Sequence, residues 1–376
     1  MHRISSWVFL VAALYVSSCA FATDTPLLPA ADARAPHIAL LLPLKSELFG
    51  EAAKMVEQGF FAAANSQPHT LPIRVYSSFD ESKDITALYR AALADGAQAV
   101  VGPLTRDGVR ALAAMPSISV PTLALNVSEA HGENNLFFFG LSAEAEARQI
   151  AQLAAAAALQ SATIISTDTP LSRRVSDAFA AEWVVLGRKP PSEIIYAGDP
   201  APLSSIPVKD GHMVFLATNA ATARLVRPYL DIALPVYATS QVFNGNADTL
   251  TNFDLNDVRF VDMPWLLEPD HPAVMIYPRL DPAPTPDMER LYALGIDAFR
   301  LLQIILTGNT ASALPLDGVT GRIDLSGRQQ FQREAEPALF KQGRGFTLEQ
   351  LAAMAAEQAA AKAGSAVPAT ATTSTP

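Results

Sequence analysis

From Pro36 onward, unbroken apolar runs alternate with stretches whose apolar residues recur at helical spacing, which predicts strands and helices in turn. Residues 38–44 form a continuous apolar run ended by proline and lysine, as suits a strand covered on both faces. Behind it, Ala52, Met55, Val56, Gly59, Phe60 and Ala63 share one face of a helix. A second strand is predicted at 73–76, and Ser82 is placed to cap a helix with Ile85, Leu88, Tyr89 and Ala92 on one face. A third strand at 97–101, a helix over 105–115 and a fourth strand at 122–125 complete the block.

The alternation then restarts. Ser142 opens a helix over 144–160, with glutamates in its first turn where the helix dipole favours them. Strands are predicted at 162–166, 193–196, 213–217 and 235–238, and helices over 172–186 and 220–230. Two blocks of four βα units imply two parallel sheets, and right-handed crossovers make each a doubly wound lobe. The chain continues with a strand-like run at 258–265, a proline-rich stretch at 269–286, a long helix over 288–306 and a hairpin strand at 318–323. A late helix and strand suit a chain that crosses back to complete both lobes. The predicted fold class is therefore α/β, like type I periplasmic binding proteins, with residues 36–142 and 270–312 as lobe 1 and 143–269 and 313–346 as lobe 2. A single long sheet is the competing architecture.

The ends are different material. A basic start at Arg3 precedes an apolar run at 7–16, shorter than the roughly 20 residues of a membrane span but suited to a signal peptide over 1–18. Val16-Ser17-Ser18-Cys19 has the form of a lipobox, which makes Cys19 a lipidation site. Ala20-Phe21-Ala22 offers an ordinary signal-peptidase cut instead. Cys19 is the only cysteine, so no internal disulfide can form and stability rests on the core, for which 50% hydrophobic residues over 376 is ample. Residues 19–35 read as a linker, and 351–376 as an alanine-rich segment running into a disordered Ala/Thr/Ser/Pro tail. A net charge of −10 argues against nucleic acid or anionic lipid as the main partner, and the arginines of 322–333 read as a solvated face.

Ligands of open α/β sheets sit beyond the carboxyl ends of the strands. The candidate cleft-lining residues there are Ser46, Ser78, Thr105, Asn126 and Ser128 in lobe 1, and Thr167, Asn219 and Ser240 in lobe 2. The same residue types also serve as plain helix caps. Asp80, Glu129 and Asp168 are the carboxylates placed to meet an amine. Asp199 is a further carboxylate at a strand end, and no residue pairs any of these for acid–base work. The six histidines, His131 in its Gly132-Glu133 loop included, show no metal-ligand spacing, and no nucleophile elbow or phosphate-binding glycine loop occurs. No catalytic residue, metal or cofactor is predicted, and the chain reads as a non-enzyme.

Several segments resemble the LpoA family, lipoprotein activators of penicillin-binding proteins, across 36–345. They include Ile38-Ala39-Leu40-Leu41-Leu42-Pro43-Leu44, Val101-Gly102-Pro103-Leu104, Pro121-Thr122-Leu123-Ala124-Leu125-Asn126 and Tyr237-Ala238-Thr239-Ser240. Phe138-Phe139-Gly140-Leu141-Ser142 with Glu144-Ala145-Glu146-Ala147-Arg148-Gln149 adds to these, as does Gly318-Val319-Thr320-Gly321. Asp262-Met263-Pro264-Trp265, within 258–265, and Arg290-Leu291-Tyr292-Ala293-Leu294-Gly295-Ile296-Asp297-Ala298 are the more specific ones. The resemblance implies a lipid-anchored protein on the periplasmic face of the outer membrane that binds and activates a class A penicillin-binding protein in peptidoglycan synthesis. A soluble periplasmic protein is the alternative location. The family's better-known members carry a helical-repeat domain ahead of this module, and no such period precedes Pro36. The alternative function is the solute-binding component of an amino-acid-type transporter, because the fold is shared and fold does not fix function.

Overall fold

The computed structural model describes residues 34–67, 71–127, 135–247, 249–308 and 310–365. Strand β1 (His37–Leu42) is buried along its whole length, so it lies inside a sheet, parallel to β2 (Ile73–Ser77) on one side and β3 (Ala97–Val101) on the other. Strands β4 (Thr122–Ala124) and β5 (Leu136–Phe138) extend the parallel order. The connecting helices are α1 (Gly50–Ser66), α2 (Glu81–Ala94), capped by Asp80, and α3 (Arg106–Ala113), capped by Thr105.

The second lobe starts with α4 (Ala143–Ala156), which Ser142 caps through the Ala145 amide at 3.2 Å. Parallel strands β6 (Ser161–Ser166), β7 (Ser192–Ile195), β8 (His212–Ala217), β9 (Val236–Ala238) and β10 (Val258–Asp262) follow, with α5 (Pro170–Val185) and α6 (Ala220–Val226) among them. The chain then crosses back through short turns α7 (Pro264–Leu267) and α8 (Pro272–Met275) to the long helix α9 (Pro286–Thr307). After α10 (Thr310–Ala313), β11 (Leu316–Gly318), β12 (Gly321–Ser326) and β13 (Gln330–Glu334) complete the first sheet. Strands β14 (Glu336–Lys341) and β15 (Arg344–Thr347) complete the second, and α11 (Leu348–Ser365) ends the described chain.

Two sheets result, in the orders β11-β12-β13-β5-β4-β3-β1-β2 and β15-β14-β10-β9-β8-β6-β7. The chain passes between them three times, after β5, after β10 and after β13. This is the two-lobed arrangement rather than one long sheet. Both sheets are mixed, not purely parallel. Strand β12 runs antiparallel to its neighbours β11 and β13, and β14 to its neighbours β10 and β15. The expected assignment of 313–346 to lobe 2 is corrected: 316–334 belongs to the first sheet, and only 336–347 joins the second. The reason is the antiparallel pairing of β12 with β13, whose parallel contact with β5 then anchors the hairpin on lobe 1. Met263, Trp265 and Val274 pack into the first lobe's core while Leu267 packs into the second's, so the chain around 263–267 serves both lobes. The alanine-rich run forms α11, as its helix propensity favours, while 366–376 and residues 1–33 with Cys19 lie outside the described residues.

Each sheet carries a core on both faces. In the first, α1 and α9 cover one face through Val56, Phe60, Ile296 and Phe299, and α2 and α3 cover the other through Ile85, Tyr89, Val109 and Leu112. In the second, α4 and α5 pack Ile150, Phe179 and Trp183 on one face and α6 lies on the other. Helices α1 and α9 approach backbone to backbone. A Cβ at Gly59 would stand 1.9 Å from the Tyr292 carbonyl oxygen, and one at Gly295 would stand 2.1 Å from that of Val56. Neither acceptor belongs to a movable side chain, so an added methyl must push the helices apart. Gly295→Ala is expected to destabilise the chain by about 3 kcal/mol, as overpacking of a filled core does. Urea unfolding followed by tryptophan fluorescence reads this directly, and a wild-type midpoint would refute the close approach.

Candidate functional site

The strand ends of both sheets carry the predicted polar residues, but most of them are occupied locally. Ser46 accepts the Phe49 amide at 3.3 Å in the turn after β1. Thr105 accepts the Gly108 amide at 3.1 Å, and Asn219 accepts that of Thr222 at 2.9 Å, both as helix caps. Asn126 donates to the Leu104 carbonyl at 3.0 Å and so ties the loops after β3 and β4 together. Thr167 donates its amide to Ser172 Oγ at 2.8 Å. Asp80 caps α2 and pairs with Lys83, Asp168 pairs with Arg173 on the surface, and Asp199 caps the Ala201 amide. Ser128, Glu129 and His131 lie outside the described residues.

Two candidates depart from this pattern. Ser78 is buried and joins β2 to β1 through its backbone, and its hydroxyl meets no partner among the described residues. Ser240 is also buried, and its role is structural rather than cleft-lining. Its amide donates to Glu146 Oε2 at 3.0 Å, while its carbonyl accepts from Arg290 Nη2 at 3.1 Å. That peptide sits inside a network that reaches all three crossovers. Arg290 of α9, with only 8% of its side chain exposed, bonds Asp262 at the end of β10 at 2.6 Å and the Phe243 carbonyl at 2.8 Å. Burial opposes the guanidinium charge, yet Asp262 beside it raises the group above its ordinary value. Arg333, at the end of β13, is paired with Glu146 of α4 and is 5% exposed, so the solvated-face reading of 322–333 fails there. Gln149 of α4 bonds both backbone groups of Ala335, at 2.7 and 3.1 Å, in the third crossover.

A second charged group spans the lobes on the strand-end side. Arg106, the first residue of α3, donates to Glu144 Oε1 at 2.8 Å, and Arg174 of α5 donates to the same oxygen at 2.8 Å. Burial works against the Glu144 charge, but the bonds from Arg106 and Arg174 outweigh it and hold the carboxyl down at about 2. Sequence reasoning placed Glu144 correctly in a first helical turn and missed its partners. No sequence spacing relates residues 106, 144 and 174.

Two cavities lie apart from these groups. One, of about 170 Å³, is lined by Trp265, Arg279, Glu289 and Tyr292, with the Arg279 guanidinium 3.8 Å from the Trp265 ring centre. The other, of about 260 Å³, lies between Leu203, Ile206, Tyr229 and Leu234. Among the described residues, no cluster of three or more His, Cys, Asp or Glu could hold a metal, and no helix is long and apolar enough to cross a membrane.

The bridge has a pH signature. Because the folded Glu144 carboxyl titrates at about 2 and its ordinary value is 4.5, its contribution is full above pH 4.5 and is lost as pH falls through about 2. Glu144→Gln is therefore expected to lower the thermal midpoint at neutral pH by roughly 2–4 °C, scaled down for its half-exposed arginines. The gap from wild type should close as the pH drops toward 2. A gap independent of pH in calorimetry would refute the assignment.

A family model described as “LppC putative lipoprotein” matches residues 25–206 and 202–343. The penicillin-binding protein activator LpoA of Photobacterium profundum is 26% identical over 349 residues, covering 82% of this chain and 56% of that protein. That of Edwardsiella piscicida is 27% identical over 318 residues, covering 72% of this chain and 45% of that protein. The chain thus spans about half the length of these curated relatives. Among solved structures, the C-domain of Haemophilus influenzae LpoA, described as a regulator of PBP1A, superposes with a TM-score of 0.70 at 23% identity, over 84% of this chain and all of that one. A Chromobacterium violaceum protein described as “a putative branched-chain amino acid ABC transporter” superposes with a TM-score of 0.68 at 37% identity, over 81% of this chain and all of that one. Since the family match runs through nearly the whole two-lobed body, the chain belongs to the LppC lipoprotein family.

Proposed function

We propose that the chain is a non-catalytic envelope lipoprotein that binds a class A penicillin-binding protein and activates it in peptidoglycan synthesis. The observation that carries this reading is sequence similarity to curated penicillin-binding protein activators along about four-fifths of the chain. The fold adds support, since an LpoA C-domain is covered over its full length. An activator without chemistry of its own acts by differential affinity, holding the active conformation of the synthase more tightly than the inactive one. A tenfold stimulation needs about 1.4 kcal/mol of such preference, which a modest protein interface supplies.

Anchoring belongs to the same reading, with Cys19 as the acylated residue and the outer membrane's periplasmic face as the location. An anchor of two or three acyl chains holds a protein stably at a membrane. Cys19→Ala is expected to release the protein into the soluble fraction, cut after Ala22. Mass spectrometry of the native N-terminus checks this, and an unmodified Thr23 there rules out the lipid.

A second reading, the solute-binding component of an amino-acid transporter, is favoured by the 37% identity to the Chromobacterium violaceum protein. The two readings separate in one pair of assays. Under the activator reading, the mature chain with Cys19 replaced raises the polymerising or cross-linking rate of a purified class A synthase on lipid II several-fold. Its melting temperature stays unchanged with amino acids. An unchanged rate at saturating protein with no complex formed would reject activation of that synthase. A rise of several degrees with one amino acid would select the transporter reading, because a ligand bound only by the folded state raises the midpoint by mass action.

A further inference from the structure

We propose that Arg106, Glu144 and Arg174 form a reversible clasp between the lobes, which limits how far the two sheets separate on their strand-end side. Arg106 belongs to lobe 1: it opens α3, whose Val109 and Leu112 are buried in the first sheet's core. Glu144 and Arg174 belong to lobe 2, on helices whose Ala147, Ile150, Val175 and Phe179 share one core cluster. The single oxygen Oε1 of Glu144 accepts both guanidinium groups at 2.8 Å. One of its two bonds therefore stays within a lobe and the other crosses between lobes.

The carboxylate is held ready for the crossing bond by its own lobe. Ser142 Oγ donates to Glu144 Oε2 at 3.1 Å, and Arg174 Nη1 is fixed in turn on the Pro170 carbonyl at 3.2 Å. Preorganisation of this kind lowers the ordering cost of the remaining charge-assisted bond. Exposure separates this bridge from the ion pairs at the crossovers. The Arg290–Asp262 and Arg333–Glu146 pairs are sealed from water, and removing one partner there leaves an uncompensated buried charge, so they act as fixed joints. The Arg106 side chain is 45% exposed and Glu144 12%, so water and salt reach the crossing bond and it opens without unfolding. The hinge is permanent, and the clasp is the part that can let go.

The experiment is a distance measurement between spin labels at Arg90→Cys on α2 and Asp177→Cys on α5, both exposed sites, in the mature chain with Cys19 replaced. In low salt, one dominant distance is expected. Arg106→Ala should raise the longer-distance population about fivefold, and about 1 M salt should do the same to the unsubstituted pair. Arg174→Ala, which removes a brace on the carboxylate but leaves the crossing bond, should raise that population distinctly less than Arg106→Ala does. Identical distributions in the Arg106→Ala and parent chains would overturn the clasp. Equal opening in the Arg174→Ala chain would overturn it too, since the bond within lobe 2 would then be what holds the distance. The salt titration needs no substitution at the bridge, so the proposal stays open to refutation even if a variant folds poorly.

Discussion

The Arg290 guanidinium is the point on which the two-lobed arrangement depends. It lies almost wholly out of water and meets Asp262, Asp287, and the carbonyls of Ser240 and Phe243. A buried charge is tolerated only when nearly every donor finds an acceptor, and these four partners come from the end of β10, the start of α9 and the segment after β9. The Ser240 peptide passes the constraint on through its amide to Glu146 of α4, and Glu146 reaches Arg333 at the end of β13. All three passages of chain between the lobes are therefore joined in one polar network. Loss of Asp262 or Glu146 leaves an arginine buried without its carboxylate, so these joints fix the hinge.

Two of the sequence segments that carry the resemblance coincide with this network. Asp262-Met263-Pro264-Trp265 supplies the carboxylate for Arg290 and then sends Met263 and Trp265 into the first lobe's core. Arg290 through Ala298 supplies the guanidinium, Gly295, where α9 touches α1, and Asp297. Asp297 accepts the amides of Val319 and Thr320 and the Thr320 hydroxyl, which ties Gly318-Val319-Thr320-Gly321 to α9. These segments fix architecture, and the same body also superposes on a protein described as “a putative branched-chain amino acid ABC transporter”. Fold is shared between the two readings, and function has to come from surfaces and ligands.

Polar residues at the strand ends follow the same economy. Thr105, Asn219 and Ser142 satisfy the amides that open helices, a demand present at every helix start whether or not anything binds nearby. Two of the ion pairs that span the lobes, Arg106 with Glu144 and Arg333 with Glu146, use glutamates in the first turn of α4 directly after the first crossover. One turn of helix thereby holds a fixed joint on its buried side and a breakable one on its wetter side.

The alternation of apolar runs and helical faces gave the strand and helix order of both lobes through β10 except for β5, because continuous burial and one-sided burial leave different periods in the chain, and the three residues Leu136–Phe138 are too few to show one. Ser142 was legible as a cap, since a cap is read within three or four residues, but Asp80 rather than the expected Ser82 caps α2, and Thr105, read as a cleft residue, caps α3. The membership of 316–334 was not legible: β12 and β13 are short and partly exposed, and which sheet a late hairpin joins depends on the long-range contact of β13 with β5. Ser240 looked like a cleft residue because its position beyond β9 was visible while Arg290 and Glu146, 50 and 94 residues away, were not. The clasp was hidden for the same reason. Pairing between side chains on different elements carries no period, so only the placement of α3, α4 and α5 against one another decided that Arg106, Glu144 and Arg174 meet.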